Sequence, residues 1–349
     1  MSSETIAAEI PYPEYSTLES NSPRVIVSAG DFPVDLPENL HTSMSKYRQN
    51  YKVGNMSPKH GQLDRPELNI SPQDFQNLSL EEQTKIIEQR EVIAHENLVR
   101  FLEGSGIDPA DVVIMKPQMD NKQPVGIVDA DQIPRSDTYQ RSSDAATMIY
   151  SRDKDRVLAA LTGDSPFMVG HGMDNEGQHV QFMTHLGWRV EEADYVRKSL
   201  EYARTLGLDL TQTHFVITPG AEKLDFTKRG EGKDERFMNE NWEGNIQPVP
   251  PEEAQVDKER LRISMVGFAT DLLEKFGIES GQIFVHGSDT TDKRTRYSSD
   301  RRSQASKGEI PTSRDAVVAT MPNYPGYNTI QERFRERRGH SLGKKAVQS

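Results

Sequence analysis

The stretch 162–189 reads TGDSPFMVGHGMDNEGQHVQFMTHLGWR, and its pattern decides the fold class. Two apolar runs, Phe167–Val169 and Val180–Thr184, predict strands on either side of a polar, Gly-rich loop that carries His171 and His179. The second run leads through His185-Leu186-Gly187-Trp188-Arg189 into Val190, Ala193, Val196, Leu200, Ala203 and Leu206. Those positions recur at the three- and four-residue steps of an amphipathic helix, and Gly207 closes it. A strand feeding a helix is the repeating unit of an α/β fold. Ligands gather where such strands end, because the following helix presents N–H donors. His185 and Arg189 are therefore candidates to face an anionic or polar substrate. The structural alternative makes His185 a hydrogen-bonded interior residue and Arg189 a surface charge.

Outward from this stretch the alternation continues. Ser79-Leu80-Glu81-Glu82 is a capping box ahead of a helix over 80–103. DVVIMK at 111–116, Arg156–Leu161, HFVIT at 214–218 and IFVH at 283–286 predict further strands, and 258–276 predicts another helix. A polar, Pro-containing stretch at 227–257 reads as a surface excursion, and 43–77 as loop with short strands. Residues 1–39, rich in Ser, Pro and Glu toward their start, read as a flexible N-terminal arm. Residues 323–349 read as a basic, disordered tail, with six Lys/Arg over 331–349 against Glu332 and Glu336. The expected architecture is one α/β domain over 40–322, with mixed sheets in a layered sandwich and flanking helices.

Composition narrows the function. The hydrophobic fraction of 34% is low for a compact domain, which places the deficit in the two ends. Cysteine is absent, excluding disulfides, a thiolate nucleophile and Cys-containing zinc sites. A net charge of -12 argues against nucleic acid as a partner. No run is long enough to span a membrane, and Glu4 and Glu9 in Met1–Tyr15 do not fit a signal peptide. The expected location is cytoplasmic.

Several constellations carry possible chemistry. His171, His179 and His185 could form a three-histidine metal site with Asp174 or Glu176 as a further ligand, against the plainer reading of a polar hairpin loop. A second polar cluster follows IFVH: His286 to Thr291, Tyr297 to Arg302, and Pro311 to Arg314. Paired Arg301 and Arg302 suit bidentate capture of phosphate or carboxylate. There is no Gly-x-Ser-x-Gly elbow, P-loop or complete dinucleotide fingerprint.

Taken in order, these segments resemble the laccase-domain, or multicopper polyphenol oxidase-like, family, whose members are associated with purine nucleoside phosphorylase chemistry. The resemblance spans roughly 40–322. HLGWR at 185–189 is similar to the family's His-Ala-Gly-Trp-Arg, and Asp164-Ser165-Pro166 stands at its Asp-Cys-Pro. Ser143 to Thr147 resembles its Ala-Asp-Ala-x-x-Thr, Gln118-Met119 its Gln-x-His or Gln-His, and Thr218 to Ala221 its Gly-Pro-x-Ile. Tyr297 to Arg302 resembles its Tyr-Ser-x-Arg-Arg, and Thr312-Ser313-Arg314 its Thr-Gly-Arg. Family members hold zinc with two histidines and a cysteine. The matching positions here are Met119, Ser165 and His185, so one remnant ligand survives and zinc is doubtful. Asn97-Leu98 stands at the family's Asn-Arg, with Arg90 or Arg100 as substitutes for the arginine.

The resemblance implies a pocket lined by Gln118, Met119, Asp164, Ser165, His185 and Arg189, completed by Tyr297, Arg301 and Arg302. Three functions follow. One is cleavage of purine nucleosides by phosphorolysis or hydrolysis, with His185 as acid or base, Asp164 orienting it, and arginines holding phosphate. Another is a non-catalytic descendant that binds a nucleoside-like ligand, or a protein partner through the terminal tails. The third is a hydrolase with Ser165 as nucleophile and His185 as base. Copper-based phenol oxidation lacks a His-rich, Cys-bearing cassette.

Overall fold

The computed structural model describes residues 24–29, 51–55, 77–118, 124–192, 194–221, 224–227, 240–250, 260–285, 289–291, 315–321 and 324. In chain order the first strands are β1 (Arg24–Ala29), β2 (Tyr51–Asn55), β3 (Val112–Pro117), β4 (Ile127–Asp129), β5 (Gln140–Ala146) and β6 (Met148–Ser151). Next come β7 (Val157–Thr162), β8 (Phe167–Met173), β9 (His179–His185), β10 (His214–Ile217) and β11 (Leu224–Thr227). The last are β12 (Ile246–Pro248), β13 (Arg260–Ile263), β14 (Ile283–Val285) and β15 (Asp315–Thr320). The helices are α1 (Leu80–Gly104), α2 (Trp188–Glu192), α3 (Tyr195–Thr205) and α4 (Met265–Lys275).

One six-stranded sheet runs β2-β1-β15-β7-β3-β5, and a second runs β14-β10-β8-β9-β6-β4. A small sheet, β11-β13-β12, completes the set. Side-chain alternation along the strands sorts the core into three seams. Val112, Ile114, Val157, Ala159 and Val318 leave the first sheet on one side to meet Leu98, Phe101 and Leu102 of α1. Val113, Met115, Leu158, Ala160 and Val317 leave it on the other and meet Phe167, Val169, Met183 and Val216 of the second sheet. The far face of that sheet, through Met168, Val180, Phe182 and Phe215, packs on Val196 and Leu200 of α3, on Leu272 and Leu273 of α4, and on Trp242. The result is a mixed α/β sandwich with two sheets between helical layers.

Local chemistry explains where the elements depart from the sequence expectations. The capping box forms as expected, with Ser79 and Glu82 bonding each other's backbone N–H. The single helix expected after HLGWR is two helices, because Asp194 adopts a left-handed backbone (φ 62°) between them. The helix expected over 258–276 begins only at Met265. Ser264 caps it by accepting from the Gly267 N–H at 3.0 Å, and Arg262 is held in a strand by a two-pronged bond to Asp225 at 2.8 and 3.1 Å. β8 runs through Gly170 and Gly172, which had read as loop. A Cβ on Gly170 would stand 2.3 Å from the Phe182 ring, and one on Gly172 would stand 2.7 Å from the Thr213 hydroxyl. Both glycines make room for neighbours within a sheet.

Of the expected arm only 24–29, and of the expected tail only Tyr324, are among the described residues; the rest of both lies outside them. Arg24–Ala29, assigned by composition to a loose arm, is a strand between β2 and β15. Its Val-Ile-Val run was too short to stand out from polar surroundings. Tyr324, beyond the boundary expected at 322, is buried, with its hydroxyl donating to Asp111 Oδ2 at 3.1 Å and accepting from the Asp108 N–H at 3.0 Å. Among the described residues, no helix is long and apolar enough to cross a membrane.

Of the chain's crossings between the two large sheets, that from β5 to β6 spans a single residue. β5 ends in the first sheet at Ala146, β6 starts in the second at Met148, and Thr147 alone joins them.

Candidate functional site around His185

His185 is the last residue of β9 and pairs across the sheet with Phe167, the first of β8. Asp164-Ser165-Pro166 therefore enters the sheet beside it. Two backbone bonds fix this end: the His185 N–H donates to the Thr147 carbonyl at 2.9 Å, and the Leu186 N–H to the Pro166 carbonyl at 3.0 Å. The Phe167 ring lies tilted against the imidazole, centroids 5.2 Å apart. A Cβ on Gly187 would stand 2.6 Å from His185 Cε1, so the ring occupies the space that any other residue at 187 would fill.

The imidazole is 3% exposed, and its Nδ1 lies 3.2 Å from the Gln118 carbonyl oxygen. A carbonyl only accepts, so Nδ1 carries the hydrogen and Nε2 keeps its lone pair. Burial pushes the His185 pKa down to about 4, against a smaller upward pull from the Gln118 carbonyl.

Gln118 itself serves the corner. Its side-chain oxygen accepts from the Gly126 N–H at 2.9 Å and from the Thr147 hydroxyl at 3.1 Å, and its Nε2 donates to the Pro124 carbonyl at 3.1 Å. Its backbone N–H donates to the Ala146 carbonyl at 2.8 Å. The amide expected to line a pocket thus braces the switch between sheets, while the carbonyl of the same residue holds His185. A Cβ on Gly126 would lie 2.3 Å from the Ala145 carbonyl oxygen, which makes this close approach possible only for glycine.

Asp164 is half-buried. Its carbonyl accepts from the Ala221 N–H at 2.7 Å and its Oδ1 from the Thr290 hydroxyl at 3.1 Å. Thr290 also donates its N–H to the Gly220 carbonyl at 3.0 Å. The Thr218 hydroxyl accepts from the Phe167 N–H at 2.8 Å. Ser165, also half-buried, receives the Thr162 hydroxyl on its carbonyl. Arg189 is exposed on α2 with its guanidinium 5.2 Å from the Trp188 ring centroid. Met119, Tyr297, Arg301 and Arg302 lie outside the described residues, as do His286 and Thr312 to Arg314. Asn97 is buried, and Arg100 bonds it from the same helix at 2.8 Å.

The three-histidine arrangement does not form. His179 Nδ1 and His171 Nε2 are hydrogen-bonded at 3.2 Å, but His179 and His185 occupy opposite ends of β9, roughly 20 Å apart at ~3.3 Å per residue. Among the described residues, no group of three or more His, Asp or Glu is arranged to hold a metal ion. At the positions that the resemblance equates with the family's cysteine and second histidine stand the neutral hydroxyl of Ser165 and the thioether of Met119. One imidazole with those two donors does not suit Zn²⁺, which takes imidazole, thiolate or carboxylate. Sequence reasoning placed Thr147 in a motif and Thr290 in a polar cluster without assigning either to this site, because their partners Gln118 and Asp164 lie tens of residues away; it missed Gly126, which no local pattern marks. Gly187, two residues after the histidine it accommodates, is visible in HLGWR.

A family model described as multi-copper polyphenol oxidoreductase laccase matches residues 60–313. Among solved structures, the chain is similar to the hypothetical protein YfiH of Bacillus licheniformis, with 17% identity over 66% of this chain and 81% of that one, and a TM-score of 0.49. It is similar to YlmD from Geobacillus stearothermophilus at 14% identity over 66% and 80% of the two chains, with a TM-score of 0.48. A Neisseria meningitidis protein matches at 14% identity over 66% and 81%, with a TM-score of 0.47. The curated proteins give no match.

Proposed function

The chain belongs to the multi-copper polyphenol oxidoreductase laccase family, and on that premise we propose that it binds a purine nucleoside-like ligand beside His185 without the family's zinc-dependent catalysis. The observation that carries this reading is the state of His185: a buried imidazole whose Nδ1–H is tied to the Gln118 carbonyl and whose pKa is near 4. At pH 7 only about one such ring in a thousand is protonated. It has no proton to give a departing base, and so low a basicity makes it a weak acceptor of one. Efficient acid–base groups sit near the working pH. The same weakness leaves Ser165 without an effective base for nucleophilic attack. Nε2 is instead suited to accept a hydrogen bond from a ribose hydroxyl or a purine N–H. Asp164, positioned by Thr290, supplies a second polar group at the same strand ends.

The test pairs binding with turnover. Adenosine, inosine and guanosine are titrated calorimetrically, and purine-base release is followed with and without phosphate, for the natural chain and His185→Ala. Saturable binding that the variant loses, with base release at the blank level, is the expected result. Phosphate-dependent release abolished by His185→Ala would establish phosphorolysis instead. A folded protein that binds none of the three nucleosides would overturn the proposal.

A further inference from the structure

The end of the inter-sheet seam remote from His185 is polar. Register places His214 beside His171, His171 beside Gln181, and Gln181 beside Ser151, a row across four neighbouring strands. Alternation turns the row toward the first sheet, on the face that carries Val216, Val169, Met183 and Ile149 one row further along. His171, Gln181 and Ser151 are fully buried.

Opposite them, just ahead of β7, lies Arg156, 3% exposed and two residues before Leu158, which faces the same seam. Its Nη2 donates to the carbonyl of Ile133, a residue packed against that seam. Among the described residues its buried Nε and Nη1 meet no acceptor and no carboxylate forms an ion pair with it; of the neighbouring carboxylates, Asp131 accepts from the Ser151 hydroxyl and the Arg152 N–H, and the buried Oδ1 of Asp155 meets no donor. From the other sheet, Gln181 donates Nε2 to the Ala319 carbonyl at 2.9 Å, which fixes its Oε1 as an acceptor, and among the described residues that oxygen meets no donor. Ala319 pairs with Leu158, so Arg156 and Gln181 approach one stretch of the seam from opposite sides.

Guanidinium groups do not lose their proton in proteins. A buried one without a counter-charge is among the costliest arrangements in a fold. We propose that the seam holds a small inorganic monoanion against Arg156, of the class of hydrogen carbonate or chloride. It would accept from Nε or Nη1 and balance the buried charge. Hydrogen carbonate would in addition donate its O–H to Gln181 Oε1, whereas chloride would leave that oxygen to a water molecule.

Thermal unfolding of the full chain tests this in gluconate buffer of fixed ionic strength, into which chloride or hydrogen carbonate is titrated. Binding near tenfold saturation raises Tm by roughly 3–5 °C, and the rise saturates. In Arg156→Met, an apolar replacement of similar length, Tm no longer responds to either anion. In Gln181→Glu, which supplies an internal carboxylate in exchange for the Nε2 donor to the Ala319 carbonyl, the response to either anion is also lost. A response to hydrogen carbonate alone assigns its O–H to Gln181. A flat Tm for the natural chain in both anions, or an undiminished rise in the variants, overturns the proposal.

Discussion

Replacing Gln118 by Met separates two roles for this residue, since a pocket-lining amide and a structural brace respond differently. Methionine has similar volume and flexibility, so little of any loss comes from a cavity. What disappears is the acceptor for the Gly126 N–H and the Thr147 hydroxyl, together with the donor to Pro124. The Pro124 residue is exposed and its carbonyl can turn to water, whereas Thr147 is fully buried and Gly126 is partly so. A buried polar group stripped of its partner costs roughly 1–3 kcal/mol, and two such groups amount to about 4 kcal/mol. Urea denaturation at pH 7.5 should show this loss as a lower midpoint with an unchanged slope. ¹⁵N-histidine spectra should show His185 no longer confined to the Nδ1–H tautomer, because its carbonyl partner sits on the disturbed corner. A loss below about 1 kcal/mol, accompanied by abolished nucleoside binding, would refute the reasoning and return the Gln118 amide to the ligand.

Glu191 is fully buried, and burial raises its carboxyl well above the ordinary range. The folded protein therefore keeps a proton that the unfolded chain releases above about pH 4.5, and stability falls as pH rises beyond that point. Glu191→Gln should be more stable than the natural chain at pH 7–8 in chemical denaturation, with the gap closing toward pH 4.5; a gap constant with pH would contradict the assignment. Gly187→Ala forces a methyl to 2.6 Å from His185 Cε1, and overpacking of this kind costs about 1–3 kcal/mol. Calorimetry should show nucleoside affinity falling with it, and unchanged affinity would mean that the ring position is unimportant. Trp242, 1% exposed and 4.6 Å from the Phe268 ring, should cost about 3–5 kcal/mol on truncation to Ala; a denaturation midpoint near that of the natural chain would show that the helical seam closes around the gap.

The sequence made the sandwich's inner strands readable where apolar residues run uninterrupted, as in DVVIMK and HFVIT, because buried strands need no alternation with solvent-facing positions. HLGWR likewise announced a strand handing over to a helix. Other features were hidden by the physics of neighbours. Gly170 and Gly172 looked like loop residues because their purpose, clearance for Phe182 and Thr213, depends on strands that come later in the chain. Arg260–Ile263 read as helix because its strand character rests on Asp225, 37 residues before Arg262. At the site, the motif located His185 and Asp164, but no local pattern could show that Gln118 spends its amide on Gly126 and Thr147. Contacts formed across sheets leave no periodic trace.

The single-residue crossing at Thr147 limits what can be transplanted. His185 belongs to one sheet, while the carbonyl that orients its ring comes from the end of a strand in the other, and the crossing peptide joins both. The β8–β9 hairpin moved to another scaffold would carry the histidine without its tether and with either tautomer available. The smallest portable unit includes the ends of β3 and β5 and the start of β6, with residues 124–126. Divergence within this part of the protein is therefore expected to proceed by coordinated replacement on both sides of the crossing.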